Sequence, residues 1–222
     1  MKNLRIDFHI HTFYSLDSTI DPKKLIEKSK ELGVVPAICD HNSISSHKHF
    51  SKIKKVILGE EIRTDIGDLI GYYVNELIPK NTPFLEALDK IKQQGGLSCL
   101  PHGFDKIRYN IGGKYPEYAK KVDIIEGFNS RCIFAKSNDL AKAFAKKYKK
   151  PTTCGTDSHF LFEFAKSYST LPDFDIENPK ELLKALKKAK HHEIYFRKSL
   201  RFASSVYARI RKAKRLFFRD SF

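Results

Sequence analysis

Apolar and polar residues alternate near the start of the chain, in LRIDFHIHT from residue 4 to residue 12. Because strand residues two apart point to the same face, Asp7, His9 and His11 are predicted to share one face of a first strand. The opposite face carries the apolar residues Ile6, Phe8 and Ile10. Two histidines on one face indicate either a solvated strand surface or a pair of metal ligands, and the rest of the chain has to decide.

Helical periods with end signals follow this strand. In DPKKLIEKSKELG, Asp21 is a predicted N-cap, Pro22 suits the first helical position and Gly33 closes the helix. The segment TPFLEALDKIKQQGG repeats this pattern of proline at the start and glycine at the end. Two further helices are predicted in SNDLAKAFAKKY and NPKELLKALKKAK.

The apolar segments between these helices predict strands, namely VVPAICDHN, KVILGEEIRT, DLIGYYVNE, LSCLPHG, VDIIEGFNS, PTTCGTDSH and HEIYF. A turn near Gly67 joins the second and third of these segments. Because strands alternate with helices, the pattern predicts an α/β fold with a parallel sheet. The longest irregular stretch covers residues 103–118, and long loops in compact domains are often functional.

Composition places the chain among globular proteins. Its 222 residues are 41% hydrophobic and 30% charged, which allows a substantial core. No segment approaches the roughly 18 apolar residues of a membrane span, and the start lacks the apolar run of a signal peptide, so we expect a cytoplasmic protein. The cysteines are widely spaced in apolar contexts, which favours buried free thiols at Cys39, Cys99, Cys132 and Cys154.

The net charge of +15 is concentrated at the C-terminal end, where residues 197–222 carry nine Lys or Arg and one Asp. Apolar residues recur there every three or four positions, which predicts one amphipathic helix. They are Phe202, Val206, Ile210, Ala213 and Phe217. We therefore predict a domain over residues 1–198 and a basic helical extension over residues 199–222. The extension either packs on the domain with a solvated basic face or gathers nucleic acid or anionic lipid.

Histidines and acids gather at the ends of the predicted strands. These residues are His9, His11, Asp40, His41, His102, Asp157 and His159, with Glu60 and Glu61 inside the strand KVILGEEIRT. The C-terminal ends of parallel strands meet at one face, where sites are built. Imidazoles and carboxylates with few thiols suit Zn, Mn or Fe, and the candidate ligands exceed the needs of one ion. The alternative is a structural hydrogen-bond network. The other histidines, His47, His49, His191 and His192, are expected to be solvated.

Six motifs in order resemble those of the PHP (polymerase and histidinol phosphatase) superfamily. They are DFHIHT with the following YS and DS, AICDHNSI, GEEIRT, LPHGFD, EGFNSR and GTDSHF. The resemblance extends over residues 4–172. It implies a distorted (β/α)7 barrel, a trinuclear metal site at the C-terminal strand ends and the hydrolysis of phosphate esters.

The resemblance also implies a ligand set. Its members are His9, His11, Asp17, His41, Glu61, Asp68, His102, Asp157 and His159. Glu61 rather than Glu60 fits the bridging carboxylate, because the family places it two residues after a glycine, here Gly59. Adjacent strand residues face opposite ways, so only one of the two glutamates can enter the site.

Two acidic ligand positions depart from the family pattern. Asp17 stands one residue later than in the commonest spacing. Asp68 stands where many members carry a histidine, so either Asp68 is a ligand or it is a solvated turn residue and the site holds fewer than three ions. Asp7 and Asp40 are predicted to orient imidazoles without binding the ions.

We therefore expect a phosphoesterase that uses metal-activated hydroxide at a bi- or trinuclear site. The expected substrate is a small phosphorylated metabolite or a nucleotide. Arg131 is the first candidate for phosphate binding, with Lys106 and Arg108 as further candidates, and His159 or His102 is expected to protonate the leaving oxygen. The alternatives are an exonuclease or phosphatase that acts on a macromolecule, and a non-enzymatic metal-bearing module that binds nucleic acid.

Overall fold

The computed structural model describes residues 3–196, 206–207 and 210–211. The strands are β1 Asn3–Ile10, β2 Val35–His41, β3 Ile57–Arg63, β4 Asp68–Tyr72, β5 Leu97–Leu100, β6 Ile124–Asn129, β7 Thr152–Gly155, β8 Tyr168–Pro172 and β9 Lys190–His192. The helices are α1 Pro22–Leu32, α2 His47–Phe50, α3 Phe84–Gln93, α4 Ile111–Lys114, α5 Pro116–Ala119, α6 Ala135–Lys147 and α7 Pro179–Leu186. The predicted helices are therefore present, and the long loop contains the short helices α4 and α5.

The strands form one sheet in the order β7-β6-β5-β4-β3-β2-β1-β8-β9. The pairs β1–β2, β2–β3, β5–β6 and β6–β7 are parallel, whereas β4 is antiparallel to both β3 and β5. The parallel sheet predicted from the alternation is therefore interrupted in this region by two antiparallel pairs. The short turn after Arg63 cannot provide a crossover, so β3 and β4 form an antiparallel hairpin.

The sheet curves until its β7 end meets β1. Ile10 forms a parallel bridge with Ser158, His11 N donates to Ser158 O at 3.0 Å, and Ser158 N donates to His9 O at 3.3 Å. Strands β1 to β7 thus form a nearly closed ring, with β8 and β9 attached outside it. This arrangement confirms the expected distorted seven-stranded barrel.

The two outer strands were not correctly predicted. Strand β8 has Ser169 and Leu171 as its buried positions, so it lacks an apolar run that would mark it. The predicted strand HEIYF begins too late, since β9 covers Lys190–His192 and pairs antiparallel with β8. Edge pairing rather than side-chain burial forms β9, which explains why no alternation marks it.

Local signals explain the first helix. The Asp21 side chain accepts hydrogen bonds from Lys23 N at 2.9 Å and Lys24 N at 3.1 Å. Gly33 ends the helix with a φ of 61°, a conformation that glycine adopts without a steric penalty. The predicted cap residues are confirmed, and the helix places the β1–α1 loop beside the C-terminal end of β1.

Apolar clusters pack on both sides of the sheet. Inside the barrel, Phe8 and Tyr72 meet edge to face at 5.9 Å, and Tyr72 Oη donates to Phe8 O at 2.8 Å. The predicted buried free thiols are confirmed at all four cysteines. No helix in the described part of the chain combines the length and the apolar character needed to cross a bilayer.

Most of the predicted C-terminal extension lies outside the described residues, so the boundary between residues 1–198 and 199–222 stays a prediction. Its apolar positions Phe202, Ala213 and Phe217 also lie outside them. Residues 206–207 and 210–211 are helical. The Tyr207 ring lies 5.5 Å from the ring of Phe160, which directly follows His159.

Candidate metal centre

The candidate ligands come together at the C-terminal ends of the barrel strands. β1 carries His9 and is followed directly by His11, β2 ends at His41, and β3 carries Glu61. His102 follows β5, and the segment after β7 carries Asp157 and His159. Asp17 reaches the same place from the β1–α1 loop. Most of these side chains are buried, and His41 is the more open one with 25% of its side chain exposed.

Glu61 lies at the centre of the cluster. Its Oε2 lies 3.0 Å from His41 Nδ1, 3.4 Å from His9 Nε2 and 3.3 Å from His11 Nε2. Its Oε1 lies 3.0 Å from His102 Nε2. One carboxylate therefore contacts imidazoles from three different strands or loops, as expected of a group that can bridge ions.

Glu60 faces away from this cluster. Its Oε2 accepts a hydrogen bond from Ile78 N at 3.0 Å, on the other side of β3. Strand alternation thus separates the two adjacent glutamates, as the sequence predicted for Glu61.

Two acids complete the other side of the cluster. Asp157 Oδ1 lies 3.3 Å from His11 Nε2 and 3.8 Å from His9 Nε2. Asp17 lies between two imidazoles, with 3.6 Å from Oδ2 to His41 Nε2 and 3.6 Å from Oδ1 to His159 Nε2. The displaced position of Asp17 in the sequence therefore does not remove it from the cluster.

Protein acceptors fix one nitrogen of several rings. Nδ1 lies 2.9 Å from Glu126 Oε1 in His9 and 3.2 Å from Ser15 Oγ in His11. In His159, Nδ1 lies 2.9 Å from the carbonyl of Asp157. In each ring the other nitrogen, Nε2, faces the cluster, which is the arrangement found for metal-binding histidines. The residues present therefore fit metal ions.

Donor atoms within 4.8 Å of one another form three overlapping groups that can each hold an ion. The three-histidine group contains His11, His41 and His159. The bridging group contains His9, His11 and Glu61, and the Asp68 group contains Glu61, Asp68 and His102. His11 and Glu61 each belong to two of these groups, so ions held by them would be neighbours.

Burial and neighbouring charges shift the pKa values of several candidate ligands. Burial alone would raise the pKa of Glu61, but the imidazoles of His41 and His9 hold that pKa well below its ordinary range. Burial would lower the pKa of His41, but the Glu61 carboxylate raises it to about 9. Burial lowers the pKa of His159 well below its ordinary value. The site therefore offers ionised Glu61 and neutral His159, the protonation states that bind metal, whereas His41 has to release a proton when it binds an ion.

Asp68 is neither a solvated turn residue nor an isolated ligand. Only 5% of its side chain is exposed, and its Oδ1 accepts a hydrogen bond from Arg63 Nε at 2.5 Å. It belongs to the Asp68 group and to this ion pair at the same time.

Asp7 and Asp40 do not contact directly the imidazole rings that they were predicted to orient. Asp7 accepts hydrogen bonds from Thr156 N at 2.9 Å and Ala165 N at 3.1 Å, so it fastens the segment that carries Asp157. Asp40 accepts from Thr12 N at 2.6 Å and from Ser15 Oγ at 3.0 Å. Asp7 therefore fixes the backbone of a ligand-bearing loop, whereas Asp40 reaches the His11 ring through Ser15, whose Oγ lies 3.2 Å from His11 Nδ1.

The predicted phosphate-binding cations have different surroundings. Arg131 Nη1 lies 3.1 Å from Glu163 Oε1, and the guanidinium acts electrostatically on His159. Arg108 Nη1 donates to Asp157 Oδ2 at 2.5 Å, so it holds a candidate ligand. Lys106 is exposed.

Sequence reasoning missed Glu126, in the middle of β6, and Asn129, at its C-terminal end. Glu126 Oε2 accepts from His102 N at 2.7 Å and from Asn129 Nδ2 at 3.0 Å, and Asn129 Nδ2 also reaches Asp157 Oδ2 at 3.2 Å. The available signal was an acid inside the apolar run IIEGF, since a buried carboxylate requires polar partners.

Two histidines expected to be solvated are half-buried. His47 Nε2 lies 3.0 Å from Gly59 O. His191 lies between Thr152 Oγ1 at 2.9 Å and Ser169 Oγ at 3.0 Å. Both serve the packing of the barrel and lie outside the three groups.

A family model described as the PHP domain matches residues 7–122, which is more than half of the chain. The chain belongs to the PHP family. A second model, described as PHP-associated, matches residues 135–191 of this PHP chain. The first match includes six of the seven members of the three groups, and the second match includes the seventh, His159.

Sequence relatives occur in Methanocaldococcus jannaschii. The chain is 38% identical over 185 residues to the uncharacterized protein MJ0417, covering 81% of this chain and 75% of that protein. It is 35% identical over 143 residues to the uncharacterized protein MJ1587, covering 57% of this chain and 82% of that protein.

Solved structures share the fold. One is a two-domain protein from Bacteroides vulgatus, described as containing a predicted PHP-like metal-dependent phosphoesterase. Its TM-score is 0.66 at 15% identity, and the match covers 87% of this chain and 65% of that protein. PsfC from Pseudomonas syringae has a TM-score of 0.66 at 12% identity, with 96% of this chain and 99% of that protein covered. At these identities the comparison shows the common fold.

Proposed function

We propose that this PHP chain hydrolyses phosphate esters of a small phosphorylated metabolite or nucleotide at a site with two or three divalent ions, Mn, Zn or Fe. The observation that carries the proposal is that Glu61, whose carboxylate has two oxygens, belongs to both the bridging group and the Asp68 group. Shared donors hold neighbouring ions, and neighbouring ions suit the displacement of a group from phosphorus. The proposed ligands are His9, His11, Asp17, His41, Glu61, Asp68, His102, Asp157 and His159.

Bound ions would supply Lewis acidity and lower the pKa of a water molecule toward neutrality. The residues of the chain provide the geometry for that chemistry. Glu126 and Ser15 hold the rings of His9 and His11, and Asn129 holds Asp157. A site whose ligands are fixed beforehand needs little reorganisation during the reaction.

Arg131 is the proposed phosphate-binding cation. It lies close enough to His159 to act on it electrostatically, and its ion pair with Glu163 fixes its position. Glu163 Oε2 also accepts from His159 N at 2.8 Å, so one acid ties the arginine to the ligand-bearing segment. His159 and His102 are the proposed donors of a proton to the leaving oxygen, in competition with their proposed roles as ligands.

The experiment is metal analysis followed by turnover measurements. Chelator-treated full chain, reloaded with Mn, Zn or Fe, is tested on an aryl phosphate, mononucleotides, nucleoside bisphosphates, cyclic phosphodiesters and short RNA. We expect two or three ions per chain and ion-dependent hydrolysis of a small ester. Fewer than one ion per chain, or ion-independent turnover, would contradict the proposal. Faster turnover of RNA than of mononucleotides would favour a macromolecular substrate, and RNA binding without hydrolysis would favour a binding module.

A further inference from the structure

The β3–β4 hairpin places a cation against one of the candidate ligands. Arg63 and Asp68 are cross-strand partners. Arg63 Nε lies 2.5 Å from Asp68 Oδ1, and Nη2 lies 3.4 Å from Oδ2. A guanidinium that faces both oxygens of a carboxylate forms a strong charge-assisted pair.

The same cation also acts on the rest of the Asp68 group. Burial would lower the pKa of Arg63, but Asp68 and, more weakly, Glu61 raise it, so both carboxylates stabilise the charged guanidinium. An ion bound by Glu61, Asp68 and His102 would meet this positive charge across the Asp68 carboxylate. The three-histidine group has its own neighbouring cation, Arg131, but that guanidinium is paired with Glu163, which lies outside the group.

Arg63 is further connected to the long loop. Its Cζ lies 4.3 Å from the centroid of the Tyr109 ring, and its Nη1 donates to the Tyr109 hydroxyl. The neighbouring Arg108 holds Asp157 at 2.5 Å. The loop therefore contacts the centre at two places, one on each side of it.

Resting on the proposed function, we propose that Arg63 competes with the ion of the Asp68 group and determines its occupancy. This ion is then the weakest-bound and most exchangeable one of the centre. When the ion takes Asp68, Arg63 loses its acceptor, and its contact with Tyr109 loosens. Because the Asp68 group contributes two carboxylates and one imidazole, it suits a hard ion such as Mn better than the three-histidine group does.

The test measures binding of Mn alone to chelator-treated full chain by equilibrium dialysis. The wild-type chain should show a tight class of sites and one weaker site. Arg63→Met should tighten the weaker site about tenfold, because a charge-assisted competitor is removed. Asp68→Asn should remove that site and leave the tight class.

Arg5→Met is the matched control, since Arg5 also lies over a tyrosine, with 5.7 Å to the Tyr168 ring, and donates to Leu32 O at 2.7 Å. It should leave every Mn affinity unchanged. Equal effects of Arg5→Met and Arg63→Met, or no effect of Arg63→Met on the weaker site, would overturn the inference. If tight sites and ester hydrolysis persist in that case, the proposed function survives. A chain that binds no Mn would overturn both.

Hydrogen exchange of the wild-type chain gives a second readout that needs no variant. Adding Mn over the range of the weaker site should speed exchange in residues 107–112, where Tyr109 contacts Arg63. Unchanged exchange in this segment over that range would also overturn the inference, even if Arg63→Met fails to fold.

Discussion

The two ends of the candidate centre use different chemistry. The three-histidine group takes His11, His41 and His159 from strand ends that are far apart in the sequence, whereas the Asp68 group takes two of its three members from one hairpin. The first group presents only nitrogen donors, and the second presents two carboxylates with an arginine against one of them. One centre can therefore offer its ions unequal sites, since imidazole and carboxylate donors favour different metals.

The largest expected effect comes from changing Glu61, whose carboxylate belongs to both the bridging group and the Asp68 group. Glu61→Gln should weaken the bridging and Asp68 groups together and reduce ester hydrolysis at least about 100-fold. Glu60→Gln is the matched control, because its amide oxygen can still accept from Ile78 N. Equal losses of bound metal in the two variants would show that the register of β3 is misassigned.

A smaller effect is expected when the support of His9 is removed. Glu126→Gln should reduce metal affinity about 10- to 100-fold, because the His9 ring loses its carboxylate acceptor. The exposed Glu86→Gln serves as the control, and titration of Mn into each variant is the measurement. Unchanged affinity in Glu126→Gln would mean that His9 is held by its packing alone.

The sequence predicted the strand ends well because buried strands carry strong apolar patterns. It could not place Glu126 in the centre, since the contact with His9 joins residues 117 positions apart. It also could not assign Asp68, because the pairing with Arg63 follows from hairpin register rather than from composition. Strands β8 and β9 were missed or shifted because edge pairing leaves little apolar signal.

Complementary variants would sharpen the contrast between the two ends. His41→Gln should lower the Zn content by about one ion per chain, because the three-histidine group loses a nitrogen donor. Asp68→Asn should instead lower the Mn content by about one ion and leave Zn in place. Loss of the same metal in both variants, measured by elemental analysis, would remove the distinction between the ends.

The smallest effect concerns thermal stability. An ion that binds only the folded chain, at a concentration of about 100 times its Kd, raises the free energy of unfolding by about 2.7 kcal/mol. This increase corresponds to a rise in Tm of about 5–10 °C for a chain of this size. Mn or Zn added to chelator-treated chain should therefore raise the Tm, with a smaller rise from Mn in Asp68→Asn than in the wild-type chain. Identical melting curves with and without ions would argue against a centre built for metal.

The central claim is that neighbouring ions share Glu61, and anomalous diffraction from Mn-soaked crystals tests it most directly. We predict at least two Mn peaks within the cluster, with Glu61 contacting more than one of them. A single peak bound by one group alone, or peaks only outside the cluster, would contradict the account.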